Sequence, residues 1–106
     1  MEKYLFFNTG ANDSLCMPAR RLTDMGMEAD GTSLILHFIA PFQGNDGVGE
    51  IIVDLTITDN KGKVVMEAIA EEIRFGKKPF IIVADETASE FIHDYITSVG
   101  TITDFA

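Results

Sequence analysis

The chain lacks tryptophan and carries one cysteine, three prolines and two tyrosines in 106 residues. A lone cysteine, Cys16, excludes an internal disulfide and makes a reducing, cytoplasmic setting the expectation. No apolar run approaches the ~20 residues of a membrane-spanning helix, so no membrane partner is expected. The opening Met1-Glu2-Lys3-Tyr4 has neither the charged nor the apolar region of a signal peptide. Positive charge is scarce as well: 8 basic residues stand against 17 acidic ones, a net charge of −9. That balance discourages non-specific contact with polyanions and favours solubility, although total charge and local patch charge are separate quantities. What is plentiful is hydrophobic residues, at 46 %, which argues against disorder and for one domain over residues 1–106.

The clearest segment, residues 50–84, reads strand, helix, strand. Ile51, Val53, Leu55 and Ile57 alternate with more polar neighbours, the period of a half-buried strand. Asp59 and Asn60 offer a helix cap, and Val65, Ile69 and Ile73 recur every four residues, predicting one helix at about 60–75. Gly76, Lys77 and Lys78 suit its C-terminus, and Pro79 bars its continuation into a strand at 80–84.

Upstream, residues 4–7 read as a short strand ended by a turn-forming run at 8–13. The stretch 16–21 is ambiguous, with Pro18 at an edge or bend. A strand at 22–28, a tight turn at Asp30-Gly31 and a central strand at 33–40 form a hairpin, followed by an exposed loop at 41–49. Downstream, 85–94 is a turn or one helical turn, and 95–105 is a last strand with a bend or bulge at Gly100. About six short strands and one helix predict a mainly β (α+β) domain. The favoured architecture is a small, strongly bent antiparallel barrel with the helix over one opening. The competing architecture makes residues 50–84 a right-handed parallel crossover unit.

Catalytic and metal patterns are missing. His37 lies in an apolar strand and reads as a core or edge histidine. His93 and Asp94, near Asp85, Glu86 and Glu90, match no zinc or calcium spacing. Ser14 and Cys16 lie in no nucleophile elbow, and Cys16 reads as a buried structural thiol. The glycines at 44–49 lack the Lys-Ser/Thr of a P-loop and precede a strand, and residues 59–63 put lysines where a calcium loop needs acids. A non-enzymatic protein without cofactor or metal is the expectation. Cations remain: Arg20 and Arg21, then Arg74, Lys77 and Lys78 around the helix end, bracketed by Phe75 and Phe80. Such cations beside aromatics suit single-stranded nucleic acid, where phosphates meet charge and bases stack. The plainer reading makes Lys77 and Lys78 complements of the helix dipole and both phenylalanines core.

Three stretches carry a resemblance. They are Tyr4-Leu5-Phe6-Phe7-Asn8-Thr9-Gly10-Ala11-Asn12-Asp13, Glu67-Ala68-Ile69-Ala70-Glu71-Glu72-Ile73-Arg74-Phe75-Gly76-Lys77 and Ile81-Ile82-Val83-Ala84-Asp85-Glu86. Together they resemble Sm-like proteins of marine cyanophage origin, within the Sm/LSm-like small-barrel family. The resemblance implies a bent five-stranded barrel with one helix, a homo-oligomeric ring built by edge-strand pairing, and RNA bound at the pore or a ring face. Asp30-Gly31-Thr32 is only a distant echo of the first family motif, the Arg-Gly of the second is missing, and the helix lies late in the chain. No family site residue therefore transfers, and Arg20, Arg21, Arg74, Lys77 and Lys78 stand as candidate phosphate contacts on their own chemistry. The expected function is a ring-forming binder of RNA or single-stranded DNA. The alternative is a phage structural or assembly protein that contacts no nucleic acid. A phage origin would make the cytoplasm that of the host cell.

Overall fold

Strand alternation sorts the apolar residues onto two inner faces. The structure, a computed structural model, describes residues 2–10, 13–40 and 49–105, so the expected loop at 41–49 lies outside it apart from Gly49. Its strands are β1 (Tyr4–Asn8), β2 (Ser14–Pro18), β3 (Leu22–Met27), β4 (Ser33–Ala40), β5 (Gly49–Ile57), β6 (Phe80–Asp85), β7 (Glu90–Phe91) and β8 (Ile96–Phe105). One helix, α1 (Gly62–Phe75), joins β5 to β6, and a 3₁₀ turn at Ala19–Arg21 joins β2 to β3. The domain is mainly β with one helix, as the alternation predicts.

The strands divide into two sheets, ordered β2-β1-β6-β7 (sheet I) and β3-β4-β5-β8 (sheet II). Sheet II is antiparallel throughout, whereas sheet I holds a parallel pair, β1 with β6. No ladder joins the sheets, so closure into a single hydrogen-bonded barrel is not found among the described residues. The chain itself spans both sides: the 3₁₀ turn links edge strands β2 and β3, and residues 92–95 link β7 and β8. The crossover alternative fails, because β5 and β6 fall in different sheets.

Between the sheets, Leu5 and Phe7 of β1 face Leu36 and Phe38 of β4 and Val53 and Leu55 of β5, all fully buried. The Phe7 and Phe38 rings meet edge-on, 5.9 Å apart at 74°, an arrangement their quadrupoles favour. Val65 and Ile69 place the buried stripe of α1 in the same core. The helix crosses one end of the sheet pair. Its first turn meets Met27, whose side chain occupies the space a Cβ on Gly62 would need, and its last turn meets Lys3.

Several local expectations change. The N-cap is Lys61 with no side-chain bond, not Asp59 or Asn60, which form a turn with Asn60 at φ 64°. The hairpin turn is longer than Asp30-Gly31 alone. Asp30 accepts bonds from the N–H groups of Thr32 and Ser33 at 2.9 and 3.0 Å, and Gly31 takes φ 78°. Cys16 is exposed, because it lies on the outer face of edge strand β2, which turns Leu15 and Met17 inward. Residues 85–94 hold a turn and the two-residue β7. Gly100 is the extra residue of a β-bulge, flanked by the Leu55–Val99 and Asp54–Thr101 pairs. A Cβ there would stand 3.1 Å from the Asp54 carbonyl oxygen.

The helix end is the main departure. Gly76 is extended (φ −66°), and neither Lys77 nor Lys78 caps the helix. Lys3, 9 % exposed, does so from 69 positions upstream, donating from Nζ to the carbonyls of Glu72 (3.0 Å) and Gly76 (2.6 Å). The Glu72 carbonyl already accepts the Gly76 N–H at 3.0 Å, so the ammonium adds a second donor there, gives the Gly76 carbonyl its donor and opposes the negative end of the dipole. Lys3→Met, which keeps the apolar stem, should lower the unfolding free energy by about 2 kcal/mol, read as an earlier urea midpoint at unchanged slope.

Candidate nucleic-acid interface

The parallel register of β1 and β6 builds an aromatic face. Tyr4 pairs with Phe80 and Phe6 with Ile82, while Leu5 and Ile81 between them point into the core. Tyr4 and Phe80 are 40 % and 47 % exposed on the outer side of sheet I, and the Phe6 ring lies 5.3 Å from that of Phe80. Phe75, at the helix end, is 72 % exposed. The reading of Phe75 and Phe80 as core is thereby corrected: both are surface aromatics.

The candidate cations gather around Lys3. Its carbonyl accepts the Ala19 N–H at 2.7 Å, which holds the 3₁₀ turn with Arg20 and Arg21 at the start of β1. Its ammonium holds the end of α1, which carries Arg74 and leads to Lys77 and Lys78. The five candidates differ in availability. Arg20 is ion-paired with Glu2 at 3.1 Å, and the Arg74 guanidinium lies 5.3 Å from the Phe75 ring centroid. Lys77 and Lys78 are exposed and make no hydrogen bond or ion pair among the described residues. They stand at an open groove of about 360 Å³, with Phe80 and Phe91 among its walls and the carboxylates of Glu72 and Glu90 also reaching it.

Sequence reasoning missed Tyr4 and Phe6 as part of this face and Lys3 as its organiser. The signal was available for the aromatics: in Tyr4-Leu5-Phe6-Phe7, a strand that buries Leu5 and Phe7 must present Tyr4 and Phe6 on its other side. Nothing local marks Lys3.

The two histidines make local contacts. His93 accepts the Tyr95 N–H at Nδ1 (3.1 Å), and its ring stacks on Tyr95 at 4.8 Å. His37 is half-buried on the outer face of sheet II, its Nδ1 3.5 Å from carboxylate oxygens of both Asp24 and Glu50. No metal-binding cluster is found among the described residues, and none of their helices is long and apolar enough to cross a membrane. Comparison with family models, curated proteins and solved structures finds no match.

Two carboxyls, Asp54 in β5 and Asp30 in the β3–β4 turn, are shifted in opposite directions. Asp30 falls below its ordinary value, chiefly through the Thr32 N–H, so its contribution to stability is present at neutral pH and lost on acidification. Asp54 rises, first through burial and then through Asp30 and Glu28, and its enclosed Oδ1 meets no hydrogen-bond donor among the described residues. A raised carboxyl favours the fold only while protonated, and that contribution disappears as pH rises through the raised value. Asp54→Asn should therefore raise the melting temperature at pH 7 by on the order of a few °C, with the gain vanishing well below pH 3.8.

Proposed function

We propose that this protein is a non-enzymatic binder of single-stranded nucleic acid, RNA or single-stranded DNA, acting as a homo-oligomer on the Sm-like plan. One observation carries the reading: Tyr4, Phe6 and Phe80 lie side by side on an open sheet face, next to the unpaired Lys77 and Lys78. Bases stack on such rings for about 1–3 kcal/mol each, independently of sequence. Lysines with no intramolecular partner can neutralise phosphates without first breaking an ion pair. Arg20 is the weakest of the five candidates, because Glu2 already occupies its guanidinium. Ring assembly is part of the same proposal, and the outer edges of β2 and β3, which no other strand covers among the described residues, are the surfaces for it.

Those same edges favour a second reading, a phage structural or assembly protein that pairs only with protein. Oligonucleotide binding separates the two. A fluorescent single strand should bind at low salt, with log K falling by about 0.7 per tenfold rise in salt for every phosphate contact. Lys77→Glu with Lys78→Glu should remove about 1.4 from that slope, and Tyr4→Ala or Phe80→Ala should weaken binding roughly 5- to 150-fold. No binding at low salt, or binding indifferent to all four substitutions, would overturn the reading. Light scattering behind size exclusion tests assembly separately, and a monomer would remove the ring.

A further inference from the structure

The groove beside Lys77 and Lys78 has an unusual floor. The Tyr4 N–H bonds the Pro79 carbonyl at 2.8 Å. In a parallel ladder this turns the main-chain groups of Pro79 and Ile81 toward β1 and those of Phe80 and Ile82 away from it. On that far side β7 pairs only with Ala84 and Asp85, and the Ile92 N–H takes the Val83 carbonyl at 3.0 Å. The N–H and C=O of Phe80 and Ile82 thus meet no strand and face the groove.

Its dimensions select the ligand. The open edge is too short for a peptide strand, being shut at one end by Pro79 and at the other by β7. A volume of about 360 Å³ suits a small planar group. The N–H and C=O of one extended residue form an adjacent donor and acceptor, the pattern on the edge of a nucleobase. Phe80 and Phe91 offer π faces, Glu90 offers an acceptor for an exocyclic amino group, and Lys77 and Lys78 complement a phosphate.

We propose that this groove is a subsite for a single nucleobase bearing an exocyclic amino group, read by the β6 main chain and Glu90, its phosphate held by Lys77 and Lys78. The proposal rests on the nucleic-acid reading and adds base selectivity to it. Cytosine and uracil, alike in size and charge, are the discriminating pair.

The test uses the ¹⁵N-labelled full chain titrated with CMP, UMP and ribose 5-phosphate, alongside oligo-dC and oligo-dU binding. The Phe80 and Ile82 amide resonances should move with CMP and stay with ribose 5-phosphate. Oligo-dC should bind about tenfold tighter than oligo-dU, and Glu90→Gln should shrink that preference while sparing oligo-dU. Equal affinity for both oligonucleotides with unmoved amides would overturn the subsite and leave general binding intact. Amides moved equally by ribose 5-phosphate would mark a phosphate site only and overturn base reading. Failure of both oligonucleotides to bind at low salt would overturn the underlying function.

Discussion

The end of α1 is held by an ammonium from the other end of the chain, and the rest of the candidate surface depends on that contact. A helix leaves its last carbonyls without partners, and here Pro79 and the strand after it lead the chain away before they can be satisfied. Lys3 supplies a donor to the Gly76 carbonyl and a second one to that of Glu72, while its own backbone anchors the 3₁₀ turn. Helix end, first strand and the β2–β3 connection therefore meet at one residue. Because Lys3 takes the role that their position suggests for Lys77 and Lys78, those two lysines remain free for solvent or a ligand.

The local distribution of charge on this protein matters more than its total. The outer face of sheet II carries Asp24, Glu50 and Asp54 around a single histidine, with Glu28 and Asp30 in the turn beside them. The unpaired Lys77 and Lys78 lie beyond the helix end, with Glu72 and Glu90 on the same groove. At physiological salt, interactions fade over about 8 Å, so a phosphate beside Lys77 senses that neighbourhood rather than the net −9. The acidic remainder still repels a polyanion from other surfaces, and this favours one orientation of approach.

Much of this was legible where period and burial coincide. Residues 50–84 alternate strongly enough to give β5, α1 and β6, and Gly100 marks its bulge, where a Cβ would crowd the Asp54 carbonyl oxygen. Strand β2 was not legible, since it buries only Met17, and β7 is two residues long. The partition into sheets was hidden for a different reason. Alternation is identical whether strands close a barrel or split into two layers, and the decision rests on β1 pairing with a strand over seventy residues away. The aromatics were misread although their phase was visible. Phe75 lies two residues beyond Ile73, about 200° around the helix and off the buried stripe. Phe80 precedes the buried Ile81 and so faces the other side of its strand.

Strand edges in this fold divide into two kinds. Those of β2 and β3 run the length of their strands, while the outer edge of β6 opens over three residues inside a walled groove. An edge pairs with another strand only if successive main-chain groups remain accessible, and β7, Pro79 and Phe91 prevent this at β6. Edge β8 is protected differently, for the Glu86 carboxylate takes the Val99 N–H at 3.2 Å. Self-association and ligand binding therefore fall on separate edges on the proposed reading. A ring built through β2 and β3 would leave every β6 groove open, so each subunit would bind independently and affinity for a long strand would grow by multivalency rather than by a change of shape.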